Sequence, residues 1–429
     1  MPFDIELIYF VLLFATFLVG CFVVKLPVSV SMLAASFITL VVSGNGLEIR
    51  HLVEGSFSFL DTFLVIVSAM IFMRFMTENG GLDALTVVII KYFRSVPVLL
   101  LPMLMIFAMF PGMITGSSTA SVLTAGAIVA PVLMTLGVPR TITGAFIAMA
   151  GVLGMIAPPV NLPVMIIGGG IDMPYVGFTL PLLLLTFPLA IFFSLYFGIK
   201  YVKKVSWEEV SIKINLKSYE DHGILLFIPI LALVVLMILG QLFPMIFSLG
   251  LPLTFLLSAV PTLFIGKKFN LLLTAKNAVN DVLPVLGILA GVGMIIQVMT
   301  LTGIRGFIVV NSLSAIAVSS AFFYLIIVIT IPLFGSISAF GASSVLGVPF
   351  ILALLGQDQI IVAAALALIA GLGDFMPPTA LAAIFAAQVI EEKKYSRVLK
   401  HLIIPGVIIA AYGLAFIIFS RQIRGFLPW

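Results

Sequence analysis

Residues 111–121 read PGMITGSSTAS: one proline, two glycines and five hydroxyl side chains inside an apolar tract that runs from 97 to 136. In lipid, every backbone N–H or C=O freed by a break must find a partner other than water. Such a break at membrane depth therefore has to serve a purpose. A second apolar tract, 321–356, is also interrupted in its middle, and the sequence places that break at GASS (341–344). Each tract reads as a re-entrant helical hairpin whose tip stops inside the membrane.

The surrounding composition sets the class. Of 429 residues, 62% are hydrophobic and only 9% charged, and mean hydropathy is +1.32. A soluble domain carries about 25% charged residues, so this chain has too little polar surface to face water. Repeated apolar runs predict a polytopic all-α membrane protein. Spans are expected near 5–24, 27–43, 57–77, 139–171 and 177–200, then near 223–243, 246–266, 281–302, 359–390 and 402–420. The first 24 residues have no basic start and no small-residue cleavage site, so they read as a span that is kept. A lone cysteine, Cys21, excludes an internal disulfide and a cysteine metal cluster.

The two halves echo one another. PVLMTLGVPRTITGAFIAMAGVLGMIAPPVNL (131–162) aligns with PFILALLGQDQIIVAAALALIAGLGDFMPPTAL (349–381). The shared order is broken hairpin, linker, Ala/Gly-rich helix, double proline and second half-helix. Matched interruptions of this kind point to a transporter site between repeats. With a re-entrant hairpin, each half crosses the membrane five times, and an odd number inverts the second copy. Charge provides a check: with the loop 200–222 in the cytoplasm, 17 of the 21 lysines and arginines fall inside. Only Arg50, Arg305, Arg421 and Arg424 fall outside, which is a strong positive-inside bias. Both termini are then expected outside. The first repeat is 1–200, with scaffold spans within 1–77, an arm at 82–94, hairpin 97–136, broken helix 139–171 and span 177–200. A cytoplasmic loop covers 201–222. The second repeat is 223–429, with scaffold spans within 223–302, an arm at 303–318, hairpin 321–356, broken helix 359–390 and span 402–420. Residues 268–279 are expected to form a further short interfacial helix.

The breaks suggest their own ligands. Exposed helix N-termini favour anions, and C-terminal carbonyls favour cations. The tips offer Gly116, Ser117, Ser118, Thr119 and Ser121, with Ser336, Ser338, Gly341, Ser343 and Ser344 as counterparts. Opposite them, Pro158–Pro159 and Pro377–Pro378 each remove backbone donors and free carbonyls in the preceding turn. The oxygens of Gly151, Gly154 and Ala157 before Pro158, and of Gly371 and Gly373 before Pro377, suit a small hard cation such as Na⁺, by analogy with oxygen-liganded hard ions. The half-helices that begin at Asn161 and Thr379, together with Ser118, Thr119 and Ser344, are the expected substrate contacts. Asp374, just before the second double proline, is a rare intramembrane carboxylate, expected to charge a cation pocket or carry a proton. Asp61 and Asp281 begin equivalent spans near an interface and read as helix-start acids. Asp172 follows GGG in a loop and also reads as structural. No buried arginine is evident to clamp a carboxylate, because Arg74 sits near the cytoplasmic end of its span.

Enzymatic classes find no support. His51, His222 and His401 lie in loops or at span ends without ligand-spaced neighbours, and no phosphate loop is present. No motif asks for a cofactor; Na⁺, or alternatively H⁺, is the expected coupling ion.

At GSSTASVLTAGAIVAPVL, AGVLGMIAPPVNLPVMIIGGG and GLGDFMPPTAL the chain resembles the large membrane subunit of tripartite ATP-independent periplasmic (TRAP) transporters, of the ion-transporter superfamily. The resemblance implies an elevator-type secondary transporter in the bacterial inner membrane that imports an organic anion, usually a carboxylate, with sodium. It places cation sites at Ser117–Ser118 with Gly151–Pro158 and at Ser343–Ser344 with Gly371–Pro377. It also implies two partners, a small four-helix membrane subunit and a soluble periplasmic substrate-binding protein. Met376 stands where the family commonly has Thr, and Asp374 lies outside the family pattern, which opens a role for a proton. A stand-alone H⁺ or Na⁺ symporter for gluconate- or citrate-like anions is the alternative, and an anion channel is a third.

Overall fold

Two stretches, Thr143–Ile156 and Ile361–Gly371, are buried at every position. A helix that is apolar on all sides belongs at the centre of a bundle, and the rest of the molecule is arranged around these two. The computed structural model describes residues 4–45, 48–93, 95–202, 223–243, 249–377 and 380–427. Among these residues every regular element is helical, and eight helices are long and apolar enough to cross a membrane.

In the first half, α1 (Ile5–Leu18) continues into a π turn (Val19–Val23), followed by α2 (Val28–Val42), α3 (Ile49–Phe57) and α4 (Leu60–Glu78). α5 (Gly81–Phe93) stands where the first arm was expected. The first hairpin is α6 (Pro97–Thr115), α7 (Ser118–Ser121), a π turn (Val122–Gly126) and α8 (Ala127–Thr135). The broken helix follows as α9 (Arg140–Ile156) and α10 (Leu162–Gly169), and then α11 (Thr179–Gly198). Most of the loop 201–222 lies outside the described residues.

The second half contains α12 (Ile228–Leu242), α13 (Gly250–Ala259), α14 (Leu271–Leu301) and α15 (Ile304–Val318). Its hairpin is α16 (Ser320–Gly335), α17 (Ala339–Ala342), a π turn (Ser343–Gly347) and α18 (Val348–Ala353). α19 (Gln359–Gly371), a 3₁₀ turn (Leu372–Phe375) and α20 (Leu381–Val389) form its broken helix, followed by α21 (Tyr395–Ile418) and α22 (Ser420–Gly425).

Two expectations need correction. The helix expected at 268–279 is not separate from the span after it: α14 runs unbroken for 31 residues, about 46 Å at 1.5 Å per residue. Asn270 starts it by accepting the Leu273 N–H (3.1 Å). Its polar residues Lys276, Asn277, Asn280 and Asp281 look interfacial in sequence because they occupy the early turns of one long helix. The second break, in turn, does not fall at GASS. The chain turns at Ser336–Ser338, so Gly341, Ser343 and Ser344 lie one to two helical turns beyond the tip.

The packing separates into two groups. α14 lies against α2, α3 and α4, while α13 packs on α4 and α1 on α2. Glycines set how closely these helices cross: a Cβ on Gly55 would lie 2.7 Å from the Gly293 carbonyl oxygen, and one on Gly291 would lie 2.8 Å from Met32 Cβ. Small residues at such crossings let membrane helices gain dispersion contacts that longer side chains would prevent. In the other group, α9 packs on α6, α7, α11, α20 and α21, while α19 packs on α10, α16 and α21. α5 and α15 touch this group through α6 and α18 respectively. The halves are interleaved, because α20 lies on the first hairpin's π turn and α10 lies on the second's.

Candidate ion and substrate site

The first tip is built by local chemistry. Gly116 ends α6 in the left-handed region (φ 65°, ψ 23°), and its N–H returns to the Gly112 carbonyl at 2.7 Å. A residue with a Cβ pays for this conformation. Ser117 is extended and caps α7, its Oγ accepting the Ala120 N–H at 3.2 Å. Ser121 stitches the limbs together: its Oγ accepts from Gly112 N (2.7 Å) and donates to the Met109 carbonyl (3.2 Å). The π turn that follows widens the helix by one residue, a feature frequent at functional sites.

The second tip repeats this construction. Ser338 is extended, and its Oγ accepts the Gly341 N–H at 3.1 Å. After one short turn of helix the chain enters a π turn, as it does after Ser117. The structural counterpart of Ser117 is thus Ser338. Ser343 and Ser344 donate to carbonyls of their own helix, Ala339 (2.9 Å) and Gly341 (2.9 Å). Gly341 faces Met32 of α2 and Phe334.

At the first double proline, α9 stops at Ile156 and Ala157 turns extended. The interrupted backbone is then tied down by three contacts. Val160 N–H donates to the Met113 carbonyl (3.0 Å), one turn before the hairpin tip. Asn161, fully buried, bridges the break: its Nδ2 donates to the Ile156 carbonyl (2.7 Å) and its Oδ1 accepts from Val164 N (2.9 Å). Tyr175 Oη donates to the Pro159 carbonyl (3.1 Å). Met155's carbonyl loses its usual helical donor because residue 159 is proline. Asn161 therefore holds the N-terminus of α10 in place and has both ends of its amide in use.

At the second break, Met376 N–H closes the 3₁₀ turn onto Gly373 (2.9 Å), and Ala380 starts α20 with φ 38°. Pro377 is exposed. Pro378 and Thr379 lie outside the described residues, so the expected Thr379 contact does too.

Each pre-proline glycine has a packing role. A Cβ on Gly154 would lie 2.5 Å from the Met109 carbonyl oxygen, and one on Gly112 would lie 2.9 Å from Gly154's carbonyl carbon. In the second half, Gly335 and Gly373 meet backbone to backbone in the same way. Gly151 faces the tip, where a Cβ would lie 2.9 Å from the Ser118 carbonyl oxygen. Gly371 faces the first break, with Ile156 and Met155 side chains 3.2–3.4 Å from where its Cβ would be.

These contacts put Gly151 against Ser118 at the tip, Gly154 against Met109 and Gly112 of the first limb, and Gly116 against Leu162 beyond the Ala157–Pro158 break. Ser118 Oγ also donates to Asp374 Oδ2, linking the first tip to the second break across 256 residues of sequence. Both side chains are buried, at 3% and 4% exposure. A buried carboxylate needs such partners. Gly341, Ser343 and Ser344 lie beyond their own tip, in segments that pack on α19, and the two serines are bonded within their own helix. Two residues left at span ends by the sequence also meet: Arg74 pairs with Asp281 beside Ser117 and Thr119.

Two interior tips, each facing a broken helix, define a membrane transporter of the broken-hairpin kind. The family model for the DctM component of tripartite ATP-independent periplasmic transporters matches residues 14–423, and the chain belongs to that family. No curated protein matches the sequence. Among solved structures, the YdaH transporter of Alcanivorax borkumensis is similar at a TM-score of 0.59 and 14% identity, covering 89% of this chain and 88% of that one. MtrF of Neisseria gonorrhoeae, described as illuminating a class of antimetabolite efflux pumps, is similar at 0.59 and 14%, covering 86% and 83%. At that identity the likeness shows the shared fold.

Proposed function

We propose that this chain is the permease subunit of a sodium-coupled importer of a small organic carboxylate in the bacterial inner membrane. It would work with a small four-helix membrane subunit and a periplasmic substrate-binding protein. The observation that carries the proposal is the buried Ser118–Asp374 bond, which joins the first tip to the second break at the centre of the hairpin group. One cation would sit among the first tip and the carbonyls of the Gly151–Pro158 turn. The other would sit near Gly371–Pro377 and the second tip, now centred on Ser338 in place of Ser343–Ser344. An anion would lie between them, toward Ser118, Thr119 and the N-terminus of α10.

Matched tips, caps, π turns and glycine crossings support a repeat, and the distribution of lysine and arginine supports its inversion with both termini outside. The two packing groups support a division of labour in which the α2–α3–α4–α14 group stays fixed. The group around α9 and α19 would then carry its site across the membrane, with α5 and α15 as links. Asp374 favours a second reading of the ion alone, in which a proton accompanies or replaces one sodium.

The test is uptake into proteoliposomes containing this chain and its two partners. Accumulation of a carboxylate against its own gradient is expected when sodium is imposed outside, and loss of that accumulation when choline replaces it. Uptake that follows only a pH gradient would transfer the coupling to protons, and flux that never exceeds equilibration would indicate a channel.

A further inference from the structure

We propose that Arg74 is a carboxylate-binding residue, held ready by Asp281 in a cavity between α4, α14 and the second limb of the first hairpin. This rests on the carboxylate cargo proposed above. The cavity holds about 350 Å³ and has six polar lining residues: Arg74, Thr77, Ser117, Thr119, Thr124 and Asp281. That volume lies at the small end of ligand pockets, suited to an organic acid of a few carbons.

The pairing geometry points to a replaceable partner. Arg74 Nε and Nη2 both donate to one oxygen, Asp281 Oδ2, at 2.8 and 2.6 Å. A guanidinium edge prefers two parallel bonds to the two oxygens of a carboxylate, which is stronger and more directional. Here two donors converge on a single acceptor. Both side chains remain in contact with the cavity, at 37% and 39% exposure. An exposed ion pair of this kind contributes little to stability, so an incoming carboxylate meets a weakly held guanidinium. The facing wall completes the recognition. Ser117 Oγ accepts from Ala120 N and keeps its own proton to donate, and Thr119 stands partly buried beside it. Ser117 is also the neighbour of Ser118, which holds Asp374. An anion between Arg74 and Ser117 would thus border the proposed cation site at the same tip. Under the proposed sidedness the cavity is on the cytoplasmic side, where cargo leaves.

The experiment uses the full chain in detergent, with melting temperature followed as acetate, lactate, succinate and gluconate are titrated against chloride at matched ionic strength. At least one carboxylate is expected to raise the wild-type melting temperature saturably. Arg74→Lys should weaken the half-saturating concentration by about tenfold or more, because a point charge cannot make the bidentate contact. Asp281→Asn should leave it unchanged or lower. The exchanged pair Arg74→Asp with Asp281→Arg should recover the unliganded melting temperature and still give no carboxylate response. A normal response in the exchanged pair or in Arg74→Lys overturns this proposal alone. Failure of both Arg74→Lys and Asp281→Asn to fold assigns the pair to clamping α4 on α14 and also overturns it. A wild type indifferent to all four anions overturns the carboxylate reading and this proposal together.

Discussion

Replacing Gly116 with leucine is expected to abolish uptake while leaving membrane insertion and yield near normal. Gly116 has φ 65°, where a side chain costs about 1–2 kcal/mol. A Cβ there would lie 2.5 Å from Leu162 Cγ, in the first turn of α10. Overpacking of that kind costs about 1–3 kcal/mol. The tip must therefore shift away from the break, and the ligand oxygens of Ser117 and Ser118 shift with it. Since about 1.4 kcal/mol is worth tenfold in an equilibrium, a cost of a few kcal/mol leaves the site assembled in a small minority of molecules. Initial uptake rates and size-exclusion profiles measured side by side check this. Trimming the obstacle should help: Gly116→Ala with Leu162→Ala is expected to transport better than Gly116→Ala alone. Normal uptake by Gly116→Leu would remove the tip from the mechanism.

The second large effect is expected at Asp374. Asparagine has nearly the same shape and keeps an oxygen that can accept from Ser118, so Asp374→Asn removes charge while preserving the hydrogen bond. If the carboxylate serves a cation pocket, the loss is substantial. Two unit charges about 4 Å apart interact by about 4 kcal/mol at an effective dielectric of about 20. The sodium concentration for half-maximal uptake should then rise more than tenfold, with the maximal rate less affected. If Asp374 carries a proton instead, sodium dependence should hold and the pH dependence of uptake should flatten. Sodium and pH profiles both identical to the wild type would reduce Asp374 to a packing partner of Ser118.

The features legible in the sequence were those written in local chemistry. Glycine, proline and hydroxyl clusters mark breaks wherever they occur, so both broken tracts, both double prolines and Asn161 as the start of α10 could be read directly. Several span limits agree within a few residues, whereas the helices expected from 281 and from 402 begin earlier, at Leu271 and Tyr395. GASS misled because it resembles GSS in composition, whereas the tip is set by an extended serine that caps the next helix. The matching pattern is Ser117 with Ala120 N and Ser338 with Gly341 N. The π turns depend on how the limbs pack and leave no composition signal. α14 reads as two segments in the sequence because its polar first turns resemble an interface. Ser118–Asp374 and Arg74–Asp281 join residues 256 and 207 positions apart, and no local pattern in a single sequence links such partners. Gly154 and Gly373 stand out in the sequence for their carbonyls, and in the structure their missing side chains let each hairpin approach its broken helix.

The most direct measurement is a cryo-electron microscopy structure of the assembled transporter in sodium, compared with one in choline. Density for an ion within coordinating distance of the first tip and the Gly151–Pro158 turn, present only in sodium, is the expected result. Sodium-dependent density elsewhere, with this tip and this break packed identically in both salts, would contradict it.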